Sequence, residues 1–231
     1  MRNVAAGCHD AALAYRTPFI SGKDSLNNEY RDAQGTRVAI PPTLLISAMA
    51  IAPDVLLTIS MDAKAAGNRL FLVGATRDER GGALVGDIVP GGDNGVVPQV
   101  DLAAAPRAHQ ALHRAIRSGR VRACHDLSEG GLGVAAAEMA FAGGLGMRLE
   151  LPSAEGLDDF ALLWSETPTR WLVEVAPEEA AEFAALLEGV PCVAVGALTA
   201  APDFVVVGTK GDDLIRADVA ALKQAWQRST R

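Results

Sequence analysis

The sequence predicts an α+β fold built from mixed α/β layers. Short apolar runs typical of buried strands alternate with Ala-rich stretches at helical spacing along most of the 231 residues. Hydrophobic residues make up 49% of the chain and charged residues 21%, which is the balance of a soluble globular protein. This length is enough for one large domain, or for one domain with part of another.

The first part of the chain predicts one helix followed by strands. Residues 4–15 are rich in Ala and Leu at helical spacing. The helix ends before Pro18, because the residue preceding a proline avoids the α region. Strand patterns follow at residues 19–21, 36–39 and 43–50.

A composition break at Pro53 indicates a domain boundary, which we place between Ala52 and Gly67. We therefore predict two domains, residues 1–52 and residues 53–231. The remainder of the chain after this break alternates strand and helix patterns, as expected of a layered α/β structure.

The second predicted domain contains a long glycine-rich loop at residues 81–95. The helix pattern at residues 103–118 places its apolar side chains on one face, and Gly119 provides a stop signal. Further helix patterns lie at residues 132–142, 178–187 and 214–227. Strand patterns lie at residues 70–74, 121–124, 147–151, 171–175, 193–197 and 204–207.

Charge and cysteine content exclude several classes of protein. The net charge of −7 argues against a nucleic-acid-binding surface, whose affinity would come from Lys and Arg on phosphate. Three widely spaced cysteines do not suggest a disulfide framework and fit a reducing compartment. No apolar run approaches the ~20 residues of a membrane span, and the N-terminus has no signal-peptide segment. We therefore expect a cytoplasmic protein without a nucleic-acid or membrane partner.

The most informative motif is CHDLSEGGL at residues 124–132. It follows a strand pattern and precedes a helix pattern, a geometry in which free backbone N–H groups and the helix dipole favour an anion. Asp126 offers a carboxylate that could hold Mg2+ against such an anion. The alternative is an ordinary helix N-terminus, with Ser128 as the N-cap and Asp126 favouring the dipole.

A second motif, GKDS at residues 22–25, resembles a phosphate-binding loop only in part. The Walker A pattern requires Gly at position 17 and Ser or Thr at position 24, and both requirements fail. The loop still offers a cation, a carboxylate, a hydroxyl and a flexible backbone, which suit polyphosphate with Mg2+. The alternative is a surface turn with a weak Lys23–Asp24 pair.

The sequence around the histidines predicts structural roles for them. His125 lacks a paired nucleophile, so hydrogen bonding is favoured over general-base chemistry. The case for zinc binding through Cys124 and His125 is weaker than the case for a general base. No second pair of ligands at a zinc-binding spacing accompanies these two residues. His109 and His113 lie four residues apart on a predicted helix without the Glu of the metalloprotease pattern, so we place them on a solvated face.

Together these motifs resemble phosphoribosylformylglycinamidine synthase, an ATP-dependent enzyme family of purine biosynthesis. The resemblance covers nearly the whole chain in the expected order. Members are several times longer, so the resemblance implies that this chain is the C-terminal portion of the synthetase region. Such a portion lacks the family's catalytic histidine, which lies upstream, and we expect it to be inactive alone. The segments that carry it are residues 17–30, 40–46, 98–102, 124–132 and 164–171.

The implied fold is an aminoimidazole ribonucleotide synthetase C-terminal-like domain preceded by part of the N-terminal-like, ATP-site domain. Whether Met1 is a natural start stays open at this stage. The resemblance assigns no catalytic residue to this chain.

The resemblance also implies roles for the GKDS loop at residues 22–25. The positions matching Gly22 and Ser25 contact ATP and the substrate, respectively. Some members carry a metal-binding Asn where Lys23 stands. Since a lysine cannot ligate Mg2+, either Lys23 contacts phosphate directly or Asp24 holds the metal.

The CHDLSEGGL segment at residues 124–132 matches an accessory nucleotide site of long-chain members. There the positions of Asp126 and Ser128 bind Mg2+ and nucleotide. The turn at residues 165–168 corresponds to a substrate-contacting turn of the family's first half, so a structural or accessory-nucleotide role is implied here. Trp164 and Trp171 are predicted to be core residues.

The implied activity converts formylglycinamide ribonucleotide, ATP and glutamine-derived ammonia to the amidine. The implied partners are the remainder of the synthetase and a glutamine amidotransferase component. A homo-oligomer through exposed sheet edges is a further expectation. Two alternatives stay open: another ATP-dependent synthetase of the superfamily, such as aminoimidazole ribonucleotide or selenophosphate synthetase, or a non-catalytic nucleotide-binding or assembly module.

Overall fold

A computed structural model describes residues 2–23, 25, 28–41 and 43–228. Backbone contacts divide the chain into two compact units, Met1–Pro53 and Asp54–Arg231.

The first unit contains one helix and a short hairpin. The helix α1 (Arg2–Tyr15) lies where the sequence predicts it. Strands β1 (Glu29–Arg31) and β2 (Arg37–Ala39) pair antiparallel. Asp32 closes the turn between them, because its Oδ1 accepts hydrogen bonds from the backbone N–H groups of residues 34 and 36 at 2.9 and 2.8 Å.

Two predicted strands of this unit, residues 19–21 and 43–50, are wrong: both segments are irregular. The second has a strand-like composition, yet Leu45 and Met49 are 88% and 89% exposed. A strand requires a neighbour to satisfy its N–H and C=O groups. Within the described part of the chain, residues 43–52 donate no backbone hydrogen bond.

The second unit is built on a sheet of seven strands among the described residues, in the order β4-β6-β3-β7-β5-β8-β9. Every neighbouring pair is antiparallel except β5 and β8, which run parallel. The strands are β3 (Arg69–Val73), β4 (Ala123–Asp126), β5 (Gly146–Glu150), β6 (Trp171–Val175), β7 (Cys192–Thr199), β8 (Asp203–Val207) and β9 (Asp213–Asp218).

Helices cover both faces of this sheet and enclose two apolar cores. Alternate residues of β3 point to opposite faces, so Leu70 and Leu72 join one core while Phe71 and Val73 join the other. The first core packs under α4 (Gly131–Gly143), α5 (Asp159–Trp164) and α7 (Val219–Gln227). The second packs under α3 (Ala105–Arg117) and α6 (Ala180–Leu186). The predicted mixed α/β layer architecture is therefore confirmed.

Several elements of the second unit differ from the sequence prediction. The glycine-rich loop contains the short helix α2 (Leu84–Ile88), and α5 was not predicted. The predicted helix at residues 214–227 is the strand β9 followed by α7. The helix begins at its N-cap Asp218, whose side chain accepts a 3.0 Å hydrogen bond from the N–H of residue 221.

Glu174 on β6 ties the entry of β3 to the sheet. Its side chain is fully buried and accepts hydrogen bonds from the backbone N–H groups of Lys64 and Ala65 and from Nδ2 of Asn68, at 2.8, 3.0 and 2.6 Å. None of the helices in the described part of the chain is long and apolar enough to cross a membrane.

Hydrogen exchange should separate the two units. We expect the amides of β3, β6 and β7 to exchange roughly 100-fold or more slowly than those of residues 43–52, because only the former are hydrogen-bonded within the sheet. The measurement is exchange followed by mass spectrometry, with β3 as the internal reference. Strong protection across residues 43–52 would contradict the irregular structure and indicate pairing with another strand.

Candidate functional site

The candidate site is a cavity of about 320 Å3 in the second unit, where β4 ends and the antiparallel β6 begins. It contains both residues predicted from the CHDLSEGGL motif, Asp126 and Ser128. Its walls also include His109 from helix α3, Glu166 and Pro168 from the turn that precedes β6, and Trp171 at the start of β6.

Strand register explains why these residues meet. Asp126, the last residue of β4, lies directly opposite Trp171, the first residue of β6. Directly opposed residues of an antiparallel pair project from the same face of a sheet. Trp171 packs against the core under α3, so Asp126 faces that side, whereas His125 faces α4. The sequence prediction ended this strand at Cys124, two residues too early.

Asp126 is held as a carboxylate by its neighbours. The Ser128 hydroxyl donates a hydrogen bond to Oδ2, and Nδ1 of His125 lies 3.4 Å from Oδ1. The Ser128 hydrogen bond chiefly, with the His125 interaction in addition, holds the pKa of Asp126 below its usual range. The group is therefore ionised at neutral pH, and its oxygens suit a hard cation such as Mg2+.

His125 has the predicted hydrogen-bonding role. Its Nε2 lies 2.8 Å from Oε2 of Glu138 on α4, so the ring is fixed between this carboxylate and Asp126. The neighbouring Cys124 thiol is buried, and burial, with the charge of Asp126, raises its pKa to about 12. A thiol that keeps its proton at neutral pH is a poor zinc ligand.

The start of α4 differs from the predicted capping arrangement. Gly130, not Ser128, is the N-cap residue, and it makes no side-chain cap. Both Gly130 and Gly131 have positive φ, 79° and 60°. A Cβ on Gly131 would lie 2.5 Å from the carbonyl oxygen of Ser165, so glycine is required where the helix meets the turn before β6.

Glu166 joins this helix to the glycine-rich segment. Its Oε1 accepts hydrogen bonds from the N–H of Gly130 at 2.8 Å and from the N–H of Leu84, at the start of α2, at 2.9 Å. The same side chain lines the cavity with Asp126. The cavity wall thus carries two carboxylates and one hydroxyl, and oxygen donors are the ligands that a divalent cation bound together with phosphate prefers.

Arg170 fixes the turn from which Glu166 projects. Its guanidinium is 1% exposed and donates to the carbonyl of Ser165, to the carbonyl of Thr167 at 2.9 Å and to Oγ1 of Thr76 at 3.0 Å. Burial lowers the pKa of Arg170 to about 10, which still leaves it charged at neutral pH. A buried cation in this position is stable because its donors find several acceptors.

Thr169, within the same turn, has an unusual backbone. Its φ is 64°, a left-handed conformation that is rare for a β-branched residue. Gly74, at the end of β3, packs so closely that a Cβ there would lie 2.2 Å from the Thr169 carbonyl oxygen. Only glycine fits at residue 74 while the turn holds this shape.

The two aromatic residues of the cavity contact each other. The His109 and Trp171 rings are T-shaped, with centroids 4.8 Å apart and planes at 88°. Nδ1 of His109 lies 2.8 Å from the carbonyl of Ala105, one turn earlier on α3. His109 is exposed, as predicted, yet it forms part of the cavity. Trp171 packs on the core, as predicted, and also lines the cavity.

The GKDS loop belongs to the other unit. Gly22, Lys23 and Ser25 are exposed, and Nζ of Lys23 donates a hydrogen bond to the Ser25 hydroxyl. The cation and the hydroxyl of this loop are thus adjacent. Asp24, the predicted alternative metal ligand, lies outside the described residues.

Removing the Glu166 carboxylate should destabilise the second unit. Glu166→Ala leaves the N–H of Gly130 without its acceptor at a part-buried position, so we expect a loss of about 1–3 kcal/mol in unfolding free energy. Glu166→Gln keeps an acceptor oxygen and should lose less. Urea denaturation measures the difference, with the exposed Glu188→Ala as the control. Equal losses of unfolding free energy for the Ala and Gln variants would show that the hydrogen-bond acceptor at residue 166 is not the source of the stability.

Comparison with known proteins identifies the family. The family model of AIR synthase related proteins, C-terminal domain, matches residues 65–209. The PurL subunit of phosphoribosylformylglycinamidine synthase from Deinococcus radiodurans is 35% identical over 234 residues, covering 98% of this chain and 31% of that relative. The corresponding subunit from Limosilactobacillus reuteri is 34% identical, covering 96% of this chain and 28% of the relative. The chain thus spans about a third of the length of these curated relatives.

Solved structures share the fold. Thermotoga maritima PurL complexed with FGAR superposes with a TM-score of 0.64 at 20% identity, covering 73% of this chain and 30% of that one. Escherichia coli HypE gives a TM-score of 0.51 at 20% identity, covering 70% of this chain and 52% of that one. Since the family match takes in well over half of the residues, the chain belongs to the AIR synthase related proteins and carries their C-terminal domain.

Proposed function

We propose that this chain is the later part of the synthetase of phosphoribosylformylglycinamidine synthase, an ATP-dependent carbon–nitrogen ligase of purine biosynthesis. The observation that carries the proposal is the match to PurL subunits along 98% of the chain at 35% identity. Solved PurL structures complexed with FGAR and with ATP support the same substrates.

The reaction proceeds in two steps. The γ-phosphoryl group of ATP moves to the amide oxygen of formylglycinamide ribonucleotide, and ADP leaves. Ammonia then adds to the activated carbon, and inorganic phosphate departs to leave the amidine. A divalent cation bound with ATP would supply charge neutralisation at the phosphates in the first step. In this chain, Gly22 contacts the nucleotide and Ser25 contacts the ribonucleotide, while either Lys23 contacts phosphate directly or Asp24 would hold the metal ion.

The Asp126 cavity serves a second, accessory nucleotide site. Asp126 holds Mg2+, Ser128 contacts the nucleotide, and Glu166 adds a further oxygen at the same wall. The donor set fits this role because it consists of oxygens only, and the pKa of Asp126 is depressed. Among the described residues, no group of three or more His, Cys, Asp or Glu side chains could hold a metal ion. A cation at this site would therefore need the nucleotide phosphates as further ligands.

The chain is organised accordingly. Residues 1–52 form part of an N-terminal-like, ATP-site domain, and residues 53–231 form the C-terminal-like α/β domain. The partners are the remainder of the synthetase and a glutamine amidotransferase, in line with the PurLQS assembly solved from Thermotoga maritima. The location is cytoplasmic, and self-association uses exposed edges such as β9.

Binding of Mg-ADP to the whole chain tests the accessory site. We expect magnesium-dependent binding by calorimetry, and at least about tenfold weaker binding for Asp126→Asn, because the amide loses the charge that holds the cation. Mg-ADP should also raise the melting temperature of the unmodified chain more than that of the variant. Asp203→Asn, an exposed carboxylate on β8, is the matched control. Unchanged binding by Asp126→Asn would refute this site.

A chimera tests the enzymatic role. This chain replaces the matching part of the Deinococcus radiodurans PurL subunit, and amidine formation from ATP, ammonia and the ribonucleotide is measured. We expect turnover, reduced roughly 10- to 100-fold by Ser25→Ala through a lost contact to a charged substrate. Gly22→Val should also reduce it, because a side chain would stand where backbone approaches phosphate.

The control variants of the chimera distinguish the two sites. Ser47→Ala should leave turnover unchanged. Asp126→Ala should lower retained nucleotide and melting temperature more than turnover. If Asp126→Ala abolished turnover while retained nucleotide and melting stayed the same, the assignment of this cavity to an accessory site would be wrong.

A further inference from the structure

We propose that one exposed face of helix α3 is a docking surface for a carboxylate-rich segment of a partner protein. The face consists of Arg107, Gln110, Arg114 and Arg117, and we call it the arginine stripe. This inference goes beyond the proposed function, which places its ligands at the GKDS loop and in the Asp126 cavity.

The charge of this region is opposite to that of the whole chain. Residues 103–122 contain five Arg and two His and neither Asp nor Glu, whereas the chain has a net charge of −7. A net charge of that size already keeps a protein soluble, so solubility does not require a basic face. The stripe instead provides a local positive potential, which attracts an anionic group.

Helix geometry places the stripe on the side of α3 that the core leaves uncovered. Its residues recur at spacings of three and four positions, so they share one face, and all four are exposed. With a rise of 1.5 Å per residue, the stripe runs for about 15 Å. The opposite face packs on the second core through Ala111, Leu112 and Ala115, so it is not available to a lipid surface.

Within the described part of the chain, no carboxylate forms an ion pair with any of the three arginines of the stripe. Two arginines that follow the helix show the contrast. Arg120 and Arg122 both pair with Glu179, at 3.3 and 3.1 Å. The guanidinium groups of the stripe therefore keep their hydrogen-bond donors available to a carboxylate from another molecule.

Helix stability accounts for only part of the stripe. Arg114 and Arg117 lie in the last turn of α3, where the helix dipole favours a cation. Arg107 lies in the first turn, where the dipole disfavours one. Asp101 caps this end, and its Oδ1 accepts hydrogen bonds at 2.9 Å from the N–H groups of residues 103 and 104 rather than from Arg107. A partner's carboxylate would compensate the unfavourable position of Arg107.

The length of the stripe favours a protein segment over a nucleic acid. A guanidinium forms paired hydrogen bonds with carboxylates and phosphates alike. A nucleic acid carries charge along its whole length, so beyond the stripe it would meet the acidic remainder of the chain. A partner helix with Asp or Glu over about three turns matches the stripe and ends where it ends.

Binding of fluorescently labelled poly-L-glutamate to the whole chain tests the docking surface. Anisotropy is measured at low and at physiological ionic strength for the unmodified chain and for the stripe variant, Arg107→Gln, Arg114→Gln, Arg117→Gln. We expect the stripe variant to bind roughly tenfold or more weakly at low ionic strength. The difference should shrink as salt is added, because exposed charges are screened.

A matched control removes the same charge from another part of the second unit. The control variant is Arg148→Gln, Arg216→Gln, Lys223→Gln, at exposed positions on β5, β9 and α7. It should bind the probe within about twofold of the unmodified chain, because these positions lie outside the stripe. Equal binding by the stripe variant and the control variant would overturn the docking surface.

Two further measurements separate the occupants. Labelled poly-U RNA should bind more weakly than poly-L-glutamate; tighter binding that the stripe variant loses would make the occupant a nucleic acid and overturn the proposal. Sedimentation of the unmodified chain tests a second copy as the occupant. Self-association that the stripe variant loses would assign the face to that contact and likewise overturn the proposal.

A melting experiment checks that the variants fold. Poly-L-glutamate should raise the melting temperature of the unmodified chain and of the control variant, but not that of the stripe variant. If the stripe variant does not fold, the single change Arg107→Gln serves instead. It should weaken binding of the probe roughly two- to fivefold, as expected for one exposed ion pair, and unchanged binding would overturn the proposal.

Discussion

The candidate site depends on one buried interaction, the guanidinium of Arg170 within the turn before β6. It donates to two carbonyls of that turn and to a hydroxyl beyond the end of β3, so it closes the turn and attaches it to the sheet at once. The Ser165 and Thr167 hydroxyls add bonds to the backbone of Arg77. An arginine is suited to this position because its planar fork reaches several acceptors, which a lysine cannot do.

The shape of this turn determines what surrounds it. Because the turn is fixed, Glu166 reaches the first residues of both α4 and α2, and Thr169 is held in a left-handed conformation against Gly74. The glycines of the GGL segment allow α4 to approach the same turn. The cavity is thus a consequence of close backbone packing around the turn, and its acidic groups come from two separate elements.

The sequence predicted those features that are encoded locally. Helix α3 and strand β6 have clear periodicity and lie where expected, and the motif containing Asp126 and Ser128 does line a cavity. Features that depend on distant partners were missed or wrong. Residues 43–50 have a strand-like composition, but no partner strand pairs with them in the described part of the chain. The meeting of Asp126 with Trp171 follows from the register of β4 and β6, which no local pattern reveals.

The difference between structural and ligand-binding carboxylates lies in how completely the protein satisfies them. Glu174 is fully buried, and three N–H donors of the chain occupy its oxygens, so its role is to hold the entry of β3. Asp126 is charged and exposed, and its partners are a single hydroxyl and an imidazole at 3.4 Å. A carboxylate oxygen has more than one lone pair, so Asp126 retains capacity for a further electropositive group. The same fold therefore uses one carboxylate to order the chain and leaves another able to receive a metal-bound ligand.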